Sequence, residues 1–304
     1  MKRRELLQRS AAFGLFAAMP YPAAAKLRVI GADPNDSTAK ASPLKPPVQG
    51  SVPVAFLVSD GAVVIDFCGP WEVFQDVYVP GRNDDAFHLY TVAETTKPVQ
   101  TSGGMQIIPN HDFSTAPAPK VIVIPAQSGK GQATLDWIRK SAKSADLTMS
   151  VCTGAFLLAQ TGLLAGRAAT THHASFKNFA RQFDNIQLKR GARFVEEGNL
   201  ATAGGLSSGI DLALRVVERY YGREVAAQTA YQMEYQGQGW LNPDSNKVYA
   251  KGRHSTDEHP LCPVCEMEVD PKTAPKSLYQ ASTYYFCSDD HKTQFDAAPT
   301  KFID

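Results

Sequence analysis

Two groups of residues in this chain have the types and spacing to do chemistry. Cys152 stands in "LTMSVCTGAFLLAQTGLL", residues 147 to 164, where a β-branched, strand-like run meets a helix-like run. Ser150 precedes it by two positions and Gly154 follows it by two. So little bulk lets a chain fold back sharply and raise a nucleophile on a strand-to-helix turn, as the G-x-S-x-G elbow does. A helix that begins just after Cys152 would aim its positive end at the sulfur and favour the thiolate. The same pattern also suits a small apolar residue packed at a strand end. The second group is C-terminal. Cys262 and Cys265 form a C-x2-C turn, and Cys287 and His291, four apart, share a face if helical. Sulfur, sulfur, sulfur and nitrogen donors suit a soft or borderline ion, zinc- or copper-like, in a tetrahedral site. A Cys262–Cys265 or Cys262–Cys287 disulfide with the third thiol buried is the plainer alternative. His254 and His259 lie nearby as further ligands or as linker residues.

The elements that must position these groups follow from pattern. At 304 residues and 43% hydrophobic, the chain can bury one large core and something small beside it. The net charge is +1 with no basic stripe, which argues against nucleic acid as a partner. "MKRRELLQRSAAFGLFAAMPYPAAAK" reads as a signal peptide over residues 1–25, with Arg3-Arg4 resembling a twin-arginine export signal. Its apolar stretch falls short of the roughly 20 residues of a membrane helix, so export to a periplasm without a permanent span is expected. Residues 26–50, rich in Pro, Ser, Ala and Lys, read as a linker. From 51 to 245, "VPVAFLVS", "FHLYTVAE", "VIVIPA", "LTMSVC" and "NLATAGG" read as strands. They alternate with "GPWEVFQDVY", "QATLDWIRKSAKSA", "AFLLAQTGLLA", "ASFKNFARQF" and "GIDLALRVVERYYG", which read as helices. This predicts an α/β fold, a mostly parallel sheet sandwiched by helices, with its site at the carboxyl ends of the strands. Residues 246–258 read as a second linker, and 259–304 as a small metal-binding α+β domain.

"DGAVVIDFCGPWEVF", "SVCTGAFLLAQTGLLAGRAATTHHA" and "LATAGGLSSGIDLALRVVE" resemble the ThiJ/PfpI family, and within it the isonitrile-hydratase-like branch, over about residues 51 to 240. The resemblance implies a flavodoxin-like, class I glutamine amidotransferase-like fold in which Cys152 is the nucleophile, Thr153 follows it and Asp66 is the acid facing the thiol. His172 matches a histidine often found near that cysteine. Ala126 and Gln127 stand where the family has Gly-Gly. Their backbone N–H groups, with that of Thr153, would hold a developing negative charge. Other readings stay open: Asp66 as the cap of a helix starting near Gly69, and His172 and His173 as structural residues. Cys68 is either a packed small residue or a redox partner of Cys152. "CPVC", "YYFCS" and "FDAAPTKF" resemble a YHS domain, with Glu266 where Gly is usual and His291 where many members have a cysteine. The expected protein is an exported, homodimeric, cysteine-dependent hydratase or lyase acting on a small electrophile, an isonitrile by resemblance. It carries a metal ion in the tail and no cofactor in the larger domain. The competing expectation is a periplasmic heavy-metal handling or stress-response binding protein whose larger domain is not catalytic.

Overall fold

Val52, Val54 and Phe56 face one apolar layer while Ala55 and Leu57 face another, the period-two pattern of a strand buried on both sides. They belong to β1 (Val52–Leu57) of a computed structural model that describes residues 41–251 and 255–303. The expected signal peptide, residues 26–40 of the expected linker, and His254 lie outside the described residues. The sheet is completed by β2 (Phe87–Ala93), β3 (His111–Asp112), β4 (Val121–Ile124), β5 (Leu147–Val151), β6 (Phe194–Glu197) and β7 (Leu200–Ala203). Its order is β6-β7-β5-β4-β1-β2-β3, parallel throughout except for the antiparallel β6–β7 edge. The registers Val54↔Val121 and Ile124↔Ser150 bring the carboxyl ends of β1, β4 and β5 level. The order reverses between β1 and β4, where ligands of such sheets sit.

One face of the sheet is covered by α1 (Val64–Gln75), α5 (Ser208–Tyr221) and α6 (Arg223–Gln232), through Phe67, Phe74, Leu212, Val216 and Ala226. The other is covered by α2 (Gln132–Ala142), α3 (Gly154–Gln160) and α4 (Phe176–Gln182), through Trp137, Ile138, Leu158 and Phe179. The predicted α/β architecture is therefore observed. Differences from the sequence reading are local. Helix α1 starts at Val64 rather than near Gly69, because Ser102 Oγ, from a distant loop, accepts from the Val64 N–H at 3.1 Å. Pro70 lies inside that helix, and its missing N–H costs one hydrogen bond to the Asp66 carbonyl. The segment 41–50 is tied down rather than free: the Leu44 N–H donates to the Arg219 carbonyl at 2.7 Å, and Arg82 bonds the carbonyls of Pro47, at 3.0 Å, and Gly50.

The tail folds around fully buried Cys262, Val264, Phe286 and Phe295. An antiparallel hairpin, β8 (Lys276–Tyr279) and β9 (Ser282–Tyr285), leads to α7 (Asp289–Ala297), which Ser288 caps by accepting from the His291 N–H at 3.3 Å. The Cys262–Cys265 turn touches α4. Arg181 donates to the Val264 carbonyl at 2.8 Å and lies 4.4 Å from the centre of the Phe302 ring, while Lys177 pairs with Glu266 at 3.6 Å. Glu266 holds a left-handed backbone, φ +62°, at the position where the resembled family has glycine.

Candidate active site and metal cluster

Cys152 follows β5 directly and takes φ +57°, a conformation uncommon for a residue with a Cβ. Its N–H donates to the Gly204 carbonyl at 2.9 Å and its carbonyl accepts from Thr171 Oγ1 at 3.0 Å. These bonds hold the strained turn in place. Gly154 explains the missing bulk: a Cβ there would overlap the Ile124 carbonyl oxygen and lie 2.8 Å from that of Pro125. Helix α3 can thus begin against the end of β4, and the cysteine is raised above the sheet.

Asp66, on the first turn of α1, is fully buried; its carboxyl is close enough to the Cys152 thiol to shift it, and its Oδ1 has no hydrogen-bond partner among the described residues. Asp66 Oδ2 accepts from the Ala126 N–H at 3.1 Å, across the point where strand order reverses. Asp66 is therefore not a helix cap, since the cap position is Val63 and has no side-chain bond. Burial pushes the Asp66 carboxyl up to about 7, against the opposing pull of the Ala126 N–H and the Cys152 thiol. Burial, and then the charge of Asp66, push the Cys152 thiol up to about 12. The expected thiolate-favouring turn is thus outweighed. The Thr153 N–H and side chain and the Leu206 N–H pull the other way. The pair resists losing both protons: the thiol keeps its own at neutral pH, while the carboxyl titrates there.

The remaining expected residues are placed differently. Because the Ala126 N–H is committed to Asp66, the N–H groups that act on the sulfur are those of Thr153 and Leu206, and the latter was not read from sequence. Gln127 turns its side-chain amide to the Leu57 carbonyl at 3.3 Å. His172 stands one layer out, its ring packed where a Gly205 Cβ would be, its Nδ1 accepting from the Ala174 N–H at 3.2 Å. Burial and His173 hold it below its ordinary value, so it is neutral. Cys68 is exposed. Two residues along a helix is a turn of about 200°, so with Asp66 pointing inward Cys68 points to solvent, and the redox pairing with Cys152 is corrected.

In the tail, ligand atoms of Cys262, Cys265, Cys287 and His291 all lie within 4.8 Å of one another. The Cys265–Cys287 sulfurs are 3.5 Å apart, and His291 Nδ1 is 3.6 and 3.0 Å from the sulfurs of Cys262 and Cys287. A tetrahedral ion with bonds of about 2.3 Å requires edges of about 3.8 Å, so this donor set fits one. Cys262, Cys265 and Cys287 are all free thiols, so neither the Cys262–Cys265 nor the Cys262–Cys287 disulfide is formed. The Cys265 thiol and nearby N–H groups hold Cys262 down to about 4, while Cys265 as donor is pushed up. His259 is not in the cluster; it pairs with Glu268 at 2.7 Å.

A parallel sheet with a cysteine on a left-handed turn and an acid reaching it from the first helix defines a known class. The pattern of the DJ-1/PfpI family matches residues 52–219, and the chain belongs to that family. It is 35% identical over 187 residues to isonitrile hydratase from Pseudomonas putida, covering 60% of this chain and 78% of that protein. It is 26% identical over 223 residues to the HTH-type transcriptional regulator CdhR from Pseudomonas aeruginosa, covering 70% of this chain and 64% of the regulator. Among solved structures, a ThiJ/PfpI family protein from Pseudomonas syringae superposes with TM-score 0.55 at 26% identity, covering 70% and 84% of the two chains. Drosophila melanogaster DJ-1beta shares the fold with TM-score 0.52 at 19% identity, covering 62% of this chain and all of that one, 100%.

Proposed function

We propose that the larger domain is a cysteine-dependent hydratase acting on a small neutral electrophile of the isonitrile type. The observation that carries this reading is a fully buried Asp66 beside Cys152 on its left-handed turn, with the acid pushed by burial up to about 7. A group that titrates near neutrality can both give and take a proton during turnover. The 35% identity to an isonitrile hydratase supports the substrate class. In the reaction R–N≡C takes the pair's proton at its terminal carbon while Cys152 sulfur bonds to the same carbon, forming R–N=CH–S–Cys. Water adds to that carbon with Asp66 as base, and the C–S bond breaks. The thiol regains its proton and R–NH–CHO leaves, so one water is consumed per isonitrile. The Thr153 and Leu206 N–H groups hold charge on the sulfur as that bond breaks.

The tail serves as a YHS-type metal-binding domain using Cys262, Cys265, Cys287 and His291, a reading supported by their clustering. Residues 1–25 export the chain, by a twin-arginine-type route, to the periplasm; cell fractionation with Arg3→Lys/Arg4→Lys tests this. Incubating purified protein with cyclohexyl and benzyl isocyanide tests the reaction: formamide product that is lost in Cys152→Ala is expected. One observation favours a second reading, a metal-handling protein with a non-catalytic larger domain: burial and the charge of Asp66 keep the Cys152 thiol protonated at rest. Absence of formamide from metal-loaded protein would leave that reading standing.

A further inference from the structure

The family match ends at residue 219, but the chain from Tyr235 to Ala250 packs back on the larger domain and helps line a cavity beside the site. The Trp240 N–H and the Tyr235 hydroxyl donate to Asp211 at 2.8 and 3.1 Å. The Arg193 N–H donates to the Pro243 carbonyl at 2.5 Å, and Arg193 Nη1 to Asn246 Oδ1 at 3.4 Å. Gly191, at φ +79°, lets the strap lie close, since a Cβ there would come within 2.8 Å of the Ala250 Cβ. The strap ends with the Tyr249 ring stacked on His173, centroids 5.0 Å apart and planes at 26°. Residues 246–251, read from sequence as linker, are therefore part of the larger domain's surface.

Beneath the strap is a cavity of about 200 Å³ whose walls include His172, His173, Phe176, Leu206, Asn246 and Tyr249. Thr171 connects it to the nucleophile's turn, because its Oγ1 donates to the Cys152 carbonyl at 3.0 Å while the residue itself lines the cavity. A cavity of about 150 Å³ is enough to hold a benzene ring. The fixed charge on the wall, Arg193, is compensated by Asp211 at 2.5 Å. Aromatic faces with no net charge favour a flat, neutral guest.

We infer that this cavity seats the organic substituent of the substrate, that the substituent is a single neutral ring, and that Asn246 and Tyr249, from beyond the family's common core, set this preference. The inference rests on the reading of Cys152 as the nucleophile, but not on isonitrile turnover.

The test is protection of Cys152 from iodoacetamide at pH 8.5, read by peptide mass spectrometry so that Cys68 and the tail are counted separately. On the unmodified full-length protein, N-benzylformamide should slow Cys152 alkylation at concentrations about tenfold below those at which formamide does. Benzoate, a charged ring of similar size, should not protect. Tyr249→Ala should bring N-benzylformamide within about twofold of formamide, and Tyr249→Phe should keep the wild-type ratio. Equal protection by N-benzylformamide and formamide, protection by benzoate, or a Tyr249→Ala protein with the wild-type ratio would each overturn the inference. Because the ligand comparison uses the wild type, a Tyr249→Ala chain that does not fold leaves it decided. Ring preference without isonitrile turnover would sink the proposed reaction alone; turnover without ring preference would sink this inference alone.

Discussion

The chain uses buried cysteines in two places, and their surroundings push them in opposite directions. At the end of β5, a single thiol faces a carboxyl in an apolar layer, and both groups are driven to keep their protons. In the tail, three thiols and an imidazole crowd together, and hydrogen bonds among them hold Cys262 down to about 4. A lone buried sulfur beside a negative group stores a proton for chemistry, whereas a cluster of sulfurs with mutual donors is ready to exchange its protons for a cation. Neighbours, rather than the cysteine itself, separate a thiol that keeps its proton from a cluster whose donor set fits an ion.

The comparison breaks most visibly if the ion is withdrawn. Structural zinc contributes about 10 kcal/mol or more to folding of small domains, so a chelator should make residues 255–303 protease-sensitive while the larger domain's unfolding midpoint stays put. A tail equally resistant with and without chelator would remove the structural ion from the account. At the other site Cys152→Ala should abolish turnover, and Asp66→Asn should reduce it by about 10²- to 10⁴-fold. Asp66→Asn should nevertheless alkylate faster at Cys152 at pH 8, because the carboxylate charge that raises the thiol is gone. Turnover and labelling moving in the same direction would refute the account in which the Asp66 charge holds the proton on the thiol.

The same variant sharpens the contrast through stability. The Asp66 carboxyl is raised from 3.8 to about 7 in the folded chain, so folding is penalised where the unfolded carboxyl would ionise. The penalty is absent below about pH 3.8, grows between 3.8 and 7, and is complete, up to about 4 kcal/mol, above 7. Asp66→Asn should therefore stabilise the protein at pH 8 and not at pH 4, as denaturant titrations at the two pH values would reveal. A smaller effect belongs to the tail: Arg181→Ala, by removing the bond to the Val264 carbonyl, should loosen metal retention about tenfold against a competing chelator.

Much of this was legible in the sequence because it obeys short-range rules. Period-two and helical patterns found β1, β2, β4, β5 and β7 and the helices beside them, and the small residues flanking Cys152 marked its turn. The cysteine and histidine spacing predicted that Cys262, Cys265, Cys287 and His291 come together. What was not legible depends on partners far along the chain. The start of α1 is decided by Ser102, 38 residues away. The Ala126 N–H is taken by an acid 60 residues earlier, and the Leu206 N–H acts on the sulfur from a loop that carries no distinctive side chain. The direction of Cys68 required knowing that the helix already included Asp66. Asn246 and Tyr249 sit in a stretch whose polar composition reads as linker, and only tertiary bonds from Arg193 and His173 give it a place.

Glu266 bears on the independence of the tail. A residue with a Cβ in the left-handed region costs about 1–2 kcal/mol relative to glycine, and this one buries its carboxyl next to Lys177 of the larger domain. The knuckle is thus less comfortable by itself than a glycine version would be, and better matched to the surface it rests on. Grafted onto an unrelated protein, the tail would carry that backbone strain without the lysine beside it, and Glu266→Gly would make the better transplant. In the native chain the same substitution would free the metal domain to become a detachable part.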